Sequence, residues 1–246
     1  PVPVGEKGGA PRTVWQQRLR DAAGERYITP YHLDTSAVFD IMRMEGTPHS
    51  WTDSQLAWDH GRMSAWPEQK THRSMGYFRR EDIPFQFALA DTFTVCDAYH
   101  CSIMSSTNPN RIFLWTGTND PAGEAGGPVL DNSHDSFPEK GYAPDAYTIT
   151  SYAERLQEAG IDWRIYKDMA DFFSNNPLVG IAAYRDSYLG KPGSNPELAR
   201  RALTTYGLDR LKADVLDGSL PQVSYLIAPA RGSEHPSRSS PAQGAD

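Results

Sequence analysis

The spacing of apolar and polar residues changes along the chain, and each change predicts an element. Residues 13–27 place Val14, Leu19, Ala22 and Ala23 at helical intervals and run out near Gly24, which predicts an early helix. Residues 31–44 hold no single period. Pro48-His49-Ser50-Trp51-Thr52-Asp53 opens a further helix with Leu56, Trp58 and Met63 on its apolar side. A polar connector over 67–80 leads through Glu81-Asp82-Ile83-Pro84 into a helix over 85–90. Thr92-Phe93-Thr94-Val95-Cys96 is rich in β-branched and aromatic residues, lacks Gly and Pro, and predicts a strand.

The rest of the chain is organised around the stretch from this run to Gly117. Polar Asp97-Ala98-Tyr99-His100 and the hydroxyl residues Ser102, Ser105, Ser106 and Thr107 precede Asn108-Pro109-Asn110-Arg111, which opens an apolar helix closing at Thr116-Gly117. Thr107 reads as the N-cap, Pro109 as a first-turn residue and Gly117 as the C-terminal cap. Residues 118–147 then carry repeated Gly and Pro and form a loop or lid, with His134 and Asp135 as candidates to face a site.

Ser151-x-x-Glu154 is a capping box for a helix that buries Ala153, Leu156 and Ala159 and ends at Gly160. A strand over 161–166 comes after a minimal break, an α/β signature. Residues 171–177 have turn chemistry. Asn195-Pro196 starts a helix that runs toward Gly207, and 208–216 is helical again, with Gly218 as its stop. Residues 221–229 make the clearest strand in the chain, delivering Ser233-Glu234-His235-Pro236 at its C-terminal end. The segments 92–96, 161–166 and 222–228 are expected in one mixed sheet with helices on both faces, a three-layer α/β unit. No internal repeat is present.

Composition narrows this picture. At 246 residues the chain holds one large α/β domain or two small ones, and 39% hydrophobic content supports a buried core. Residues 1–12 read as a flexible lead-in, 13–240 as the body of one domain, and 241–246 as a polar tail. A net charge of −7 gives no electrostatic footprint for nucleic acid and argues against charge-driven binding to anionic membranes. Cys96 and Cys101 match no zinc pattern. They either close a tight disulfide loop beside Thr107 or stand as two separate buried thiols. No apolar run is long enough for a transmembrane helix, and no signal peptide is present. A start at Pro1 and a Ser/Pro/Gly-rich end make the chain read as an internal piece of a longer protein.

A hydroxyl at a helix N-terminus suits phosphate chemistry, because free N–H groups and the positive end of the macrodipole point at the anion it would attack. Arg111, one turn on, adds a charge-assisted partner for a phosphate oxygen. The same residues also describe a plain capped helix. His60 reads as a hydrogen-bonded structural residue and His49 as a candidate to line a site.

The segment DAYHCSIMSSTNPNRIFLWTGTNDP resembles the central motif of the bacterial phosphoesterase family of non-haemolytic-type phospholipases C and related acid phosphatases. TPHSWTDSQLAWDHGRMSAW, MGYFRREDIPFQFALADTFTVCDAYHCS, DWRIYKDMADFFSNNPL and LPQVSYLIAPARGSEHPS extend the similarity over about residues 28–240. The resemblance implies an alkaline-phosphatase-like fold, here incomplete. It makes Thr107 both nucleophile and metal ligand, with Asn108, Asn110, Arg111, His49, Glu234 and His235 binding substrate or phosphate; His134 joins them by its position in the loop alone. It implies a divalent metal ion and a phospholipid with a zwitterionic headgroup, met by peripheral contact with membrane lipid. The implied reaction converts phosphatidylcholine or sphingomyelin to a diacylglycerol-type product and phosphocholine through a phospho-threonine. An acid phosphatase or a catalytically silent piece are the alternatives. The family's Glu-Asn-Arg-Ser-Phe-Asp motif and its acidic Gly-Phe stretch, which supply the other metal ligands, do not occur in the chain. Asp97 and Glu234 are acidic residues in shared motifs. Family members usually carry a secretion signal, so the implied location is secreted or cell-wall-associated.

Overall fold

A computed structural model describes residues 3–4, 12–13, 15–134, 145–171 and 175–245. They form two compact units, Pro1–Ser105 with Arg231–Asp246 and Ser106–Ala230. The architecture is mixed α/β.

In the first unit, β1 (Pro3–Val4) pairs antiparallel with β2 (Arg12–Thr13). The helix expected over 13–27 is instead a hairpin of β3 (Gln17–Asp21) and β4 (Gly24–Ile28). Period two prevails here. Gln17 and Leu19 are buried while Arg18 and Arg20 point outward, and Arg20–Glu25 and Arg26–Asp21 pair across the strands at 2.7 Å. Gly24, at φ 106°, closes the turn in a conformation that only glycine adopts easily. A short β5 (Tyr31–His32) runs parallel to β6 (Gly76–Tyr77).

Helix α1 (Trp51–Trp58) has a capping box in which Ser50 and Asp53 bond each other's backbone N–H. Its buried residues are Ser54 and Ala57, whereas Leu56, Trp58 and Met63 are exposed, which reverses the expected face. Burial of small residues is explained by α2 (Trp66–Lys70), whose Lys70 is buried, pairs with Asp53 and donates to Ser54 Oγ at 2.8 Å. The expected connector over 67–80 therefore contains most of α2, a 3-10 turn (His72–Met75) and β6.

Helix α3 (Pro84–Thr92) starts one residue before the expected 85–90 helix and continues through Thr92, whose hydroxyl donates to the Ala88 carbonyl at 2.7 Å. The strand predicted at 92–96 does not form. Phe93 is extended, yet Phe93 and Val95 are exposed and no described strand pairs with them. β-propensity without a neighbouring strand to pack on does not make a sheet. Cys96 and Cys101 are free and exposed, so the buried-thiol expectation fails along with the disulfide.

The second unit holds the larger core. Helix α4 (Thr107–Thr116) contributes Ile112 and Trp115, and ends on Gly117 at φ 78°, whose N–H reaches the Phe113 carbonyl. The predicted capping box is present, with Ser151 and Glu154 starting α5 (Tyr152–Glu158). β7 (Trp163–Tyr166) comes next. A 3-10 turn (Pro177–Gly180) and α6 (Ala182–Tyr188), neither predicted, bury Leu178, Val179, Ile181 and Tyr184. Asn195 caps α7 (Pro196–Ala202), which stops before Gly207, and α8 (Leu208–Leu216) precedes β8 (Val223–Leu226). β8 lies parallel to β7 with Trp163 opposite Val223. Back in the first unit, α9 (Pro241–Ala245) accepts from Gln86 Nε2 at the Pro241 carbonyl, 3.0 Å. No helix among the described residues is long and apolar enough to cross a membrane.

The second core sets two expectations for stability. Ile165 is fully buried in β7, so Ile165→Ala is expected to lower the unfolding free energy by about 2–5 kcal/mol in urea denaturation. A loss below ~1 kcal/mol would mean that the core closes around the gap. Asp214 accepts from Tyr166 Oη at 2.6 Å and pairs with Arg164 and with Arg210, 2.9 Å away. The Tyr166 bond, with help from Arg210 and Arg164, holds the Asp214 carboxyl down at about 2. This folded-state value is depressed, so its stabilisation is fully present above about pH 4 and disappears as pH falls through 2. Asp214→Asn should therefore melt lower at neutral pH, with the difference closing on acidification; a gap that ignores pH would contradict the assignment.

Candidate active site

Thr107 is the first residue of α4, and Ser106, not Thr107, is the N-cap. The cap is shifted by one residue because Ser106 keeps the extended backbone, φ −76° and ψ −170°, while Thr107 already has helical dihedrals. Thr107 is half-buried, with Asn108 and Pro109 buried behind it. Pro109 has no N–H, and the Asn108 N–H is taken by Asn132 Oδ1 at 2.9 Å, so the helix start offers fewer free donors than a typical first turn. Asn108 Nδ2 donates in return to the Ser133 carbonyl at 3.2 Å, and Asn110 Nδ2 to the Ser106 carbonyl at 3.1 Å. The Ser106 hydroxyl and Asn108 Oδ1 are buried with no hydrogen-bond partner among the described residues.

One cation stands a turn into this helix and a second is buried in the same unit. Arg111 donates to the Asn175 carbonyl at 3.1 Å, and burial lowers its pKa. Lys167, 2% exposed, donates to the Asp171 carbonyl at 3.0 Å. Burial pulls the Lys167 ammonium below its ordinary value; Asp171 and Asp168 oppose that shift, and the Arg111 charge adds to it. Arg111 thus brings positive charge one turn into α4 with a backbone carbonyl as partner, an arrangement suited to an incoming anion.

His134 sits at φ 65°, with Nδ1 2.9 Å from Ser133 Oγ and 3.0 Å from Tyr147 Oη. Its ring lies 4.4 Å from that of Tyr147, whose phenol is raised by burial. His134, Asn108, Asn110, Arg111 and Thr107 therefore share one unit. His49, Glu234 and His235 belong to the other. There, His49 Nδ1 contacts the Thr47 carbonyl at 2.8 Å, and His235 Nδ1 contacts the Pro236 carbonyl at 2.7 Å. Glu234, at φ 57°, accepts from Gln86 Nε2 at 3.1 Å. Asp135 lies outside the described residues, and Asp97 is exposed in a turn. A groove of ≈ 440 Å³ in that unit, lined by Trp15, Met63, Trp66, Met75 and Tyr77, contains none of the candidate residues.

Sequence reasoning missed Asn132, Ser133 and Asn175. The Asp131-Asn132-Ser133 run and the 171–177 segment carry turn residues, and turn chemistry does not reveal which helix a loop will cap. A metal fits these residues poorly. Divalent cations such as Ca²⁺ and Mg²⁺ are held largely through carboxylates, and the unpartnered oxygens here are a hydroxyl and an amide. No group of three or more His, Cys, Asp or Glu among the described residues is placed to hold an ion.

The chain as a whole has counterparts among known proteins. Residues 2–246 match the family described as "Phosphoesterase family". The chain belongs to the phosphoesterase family. It is 53% identical over its whole length to a non-hemolytic phospholipase C of Pseudomonas aeruginosa, covering 33% of that protein. A non-hemolytic phospholipase C of Burkholderia pseudomallei shares 37% identity over 96% of the chain and 34% of its own length. Phospholipase C A of Mycobacterium tuberculosis shares 38% identity over 84% of the chain and 41% of its own. This phosphoesterase chain thus spans about a third of the length of the first two relatives.

Proposed function

We propose that the chain supplies the nucleophile and an anion-binding start of helix to a phospholipase C that acts on phosphatidylcholine, and on sphingomyelin as a second substrate. The observation that carries the reading is the site itself: a half-exposed Thr107 opening a ten-residue helix, with a buried partnerless hydroxyl before it and Arg111 one turn behind. The names of the relatives support the reaction class.

Thr107 Oγ attacks phosphorus. The Oγ–P bond forms as the bond from phosphorus to the glycerol oxygen breaks, and the leaving oxygen takes up the proton that Oγ gives up. Water then adds to the phosphocholine-threonine ester and releases phosphocholine, restoring the hydroxyl. Arg111 has further donors beyond the one bonded to Asn175, and these steady the charge on the phosphoryl oxygens; the helix dipole acts in the same sense. Asn108 and Asn110 brace the first turn. His134, His49, Glu234 and His235 are assigned to substrate binding.

The divalent ion that the resemblance implies takes its carboxylate ligands from outside these residues. The proposed fold of the full-length enzyme is the three-layer, alkaline-phosphatase-like unit, formed as one catalytic domain around residues 13–240. Its proposed setting is outside the cell, at the surface of lipid. The test is release of phosphocholine from phosphatidylcholine vesicles by the full-length protein, run beside hydrolysis of p-nitrophenyl phosphate. Selective headgroup release is expected; preference for the phosphomonoester would make the protein an acid phosphatase instead.

A further inference from the structure

We propose that Asn132 is a positioning residue of this site: it caps α4 from the neighbouring loop and so leaves the Ser106 hydroxyl to the group that Thr107 engages. The proposal rests on the anion-site reading of α4. An N-cap Ser normally accepts a hydrogen bond from the N–H of the second or third helical residue. In α4 the third is Pro109, which has none, and the second is Asn108, whose N–H goes to Asn132 Oδ1 at 2.9 Å. Ser106 has the backbone of an N-cap but makes no side-chain cap bond.

Its hydroxyl is therefore idle at the helix start. Ser106 is 7% exposed and Asn108 3%, and neither Ser106 Oγ nor Asn108 Oδ1 has a partner among the described residues. Buried polar atoms left this way are unfavourable and uncommon, and two of them, on the residues either side of Thr107, point to a polar ligand that completes them. A phosphoryl oxygen accepts from Ser106 Oγ, while a phosphate O–H or its accompanying water donates to Asn108 Oδ1.

The loop that carries Asn132 is itself held in place. Ser133 N–H donates to Asp131 Oδ1 at 2.9 Å, and the Tyr147 hydroxyl meets His134 Nδ1 at 3.0 Å. On the far side the loop packs so closely that a Cβ on Gly180 would come within 2.7 Å of the His134 carbonyl. The Asn132 amide thus reaches α4 from a braced segment, as a positioning group requires.

Substituting Asp for Asn132 separates positioning of the ligand from simple support of the helix. The carboxylate keeps the acceptor for the Asn108 N–H, and a negative charge favours a helix N-terminus. It also stands beside the incoming anion. The ¹⁵N-labelled 246-residue chain is titrated with inorganic phosphate, monitoring the Thr107 and Asn108 amides, amide exchange and the melting temperature. Wild type is expected to show saturable shifts at both amides. Asn132→Asp should keep the Asn108 amide protected and the melting temperature unchanged or higher, yet bind phosphate about tenfold more weakly. Asn132→Ala should lose protection and affinity together; if it does not fold, Asn132→Asp decides alone. Wild-type affinity in Asn132→Asp would overturn the proposal while leaving the anion site standing. Absence of any saturable shift in the wild type would overturn the anion-site reading and this inference with it.

Discussion

Thr107→Ala in the full-length protein is expected to abolish release of phosphocholine from phosphatidylcholine, with a rate loss of at least about a thousandfold. At ~1.4 kcal/mol per factor of ten, that is upwards of about 4 kcal/mol of transition-state stabilisation. Thr107→Ser keeps the hydroxyl at the first position of α4 and should stay within about tenfold of wild type, since only a methyl group is lost. The 246-residue chain alone is expected to act barely above background, and there Thr107→Ala should change little. The reason lies in the donor set: the oxygens at the helix start are neutral, and a hydroxyl with neither ion nor base to activate it is a weak nucleophile. Strong, Thr107-dependent activity in the short chain would mean that it builds its own activating group, with Asp97, Glu234 and His235 the first side chains to replace.

The second large effect concerns Arg111. Removing one preorganised donor to a developing oxyanion typically costs about 10²–10³ in rate, and Arg111→Ala in the full-length protein is expected to fall in that range. Arg111→Lys should recover only part of it, because an ammonium keeps the charge and loses the planar fork. Arg111 also donates to Asn175, so the check pairs kcat with the melting temperature. A drop in kcat explained by unfolding, with normal turnover in the folded fraction, would remove Arg111 from the chemistry.

Much of the second unit was legible because its signals are local. Ser151 with Glu154, Asn195 before Pro196, and the apolar runs at 161–166 and 222–228 each name their element within a few residues, and the two runs do pair as neighbouring parallel strands. The losses came where a distant partner decides. Residues 92–96 have strand composition but no strand beside them, so Phe93 and Val95 stay in solvent. Residues 17–28 carry apolar positions that fit two periods, and the hairpin prevailed through Gly24 and the cross-strand ion pairs. Leu56 and Trp58 face outward because Lys70 docks against Asp53 and Ser54.

The site divides in the same way. Thr107, Arg111 and the helix they open stand next to each other in the sequence and were readable there. The loop that completes the helix start lies more than twenty residues on, and Asn132 reaches Asn108 by tertiary folding alone. Ser106 could not be singled out either, because its burial without a partner is a property of the packed structure.

The proposed reaction passes through a covalent bond between Thr107 Oγ and phosphorus. The most direct measurement is acid quenching of the full-length protein within the first turnovers on phosphatidylcholine, then peptide mass spectrometry of the segment containing residues 107–111. A phosphocholine adduct localised to Thr107 is expected, absent from Thr107→Ala and from unreacted protein. Full turnover with that peptide unmodified, or an adduct on another residue, would contradict it.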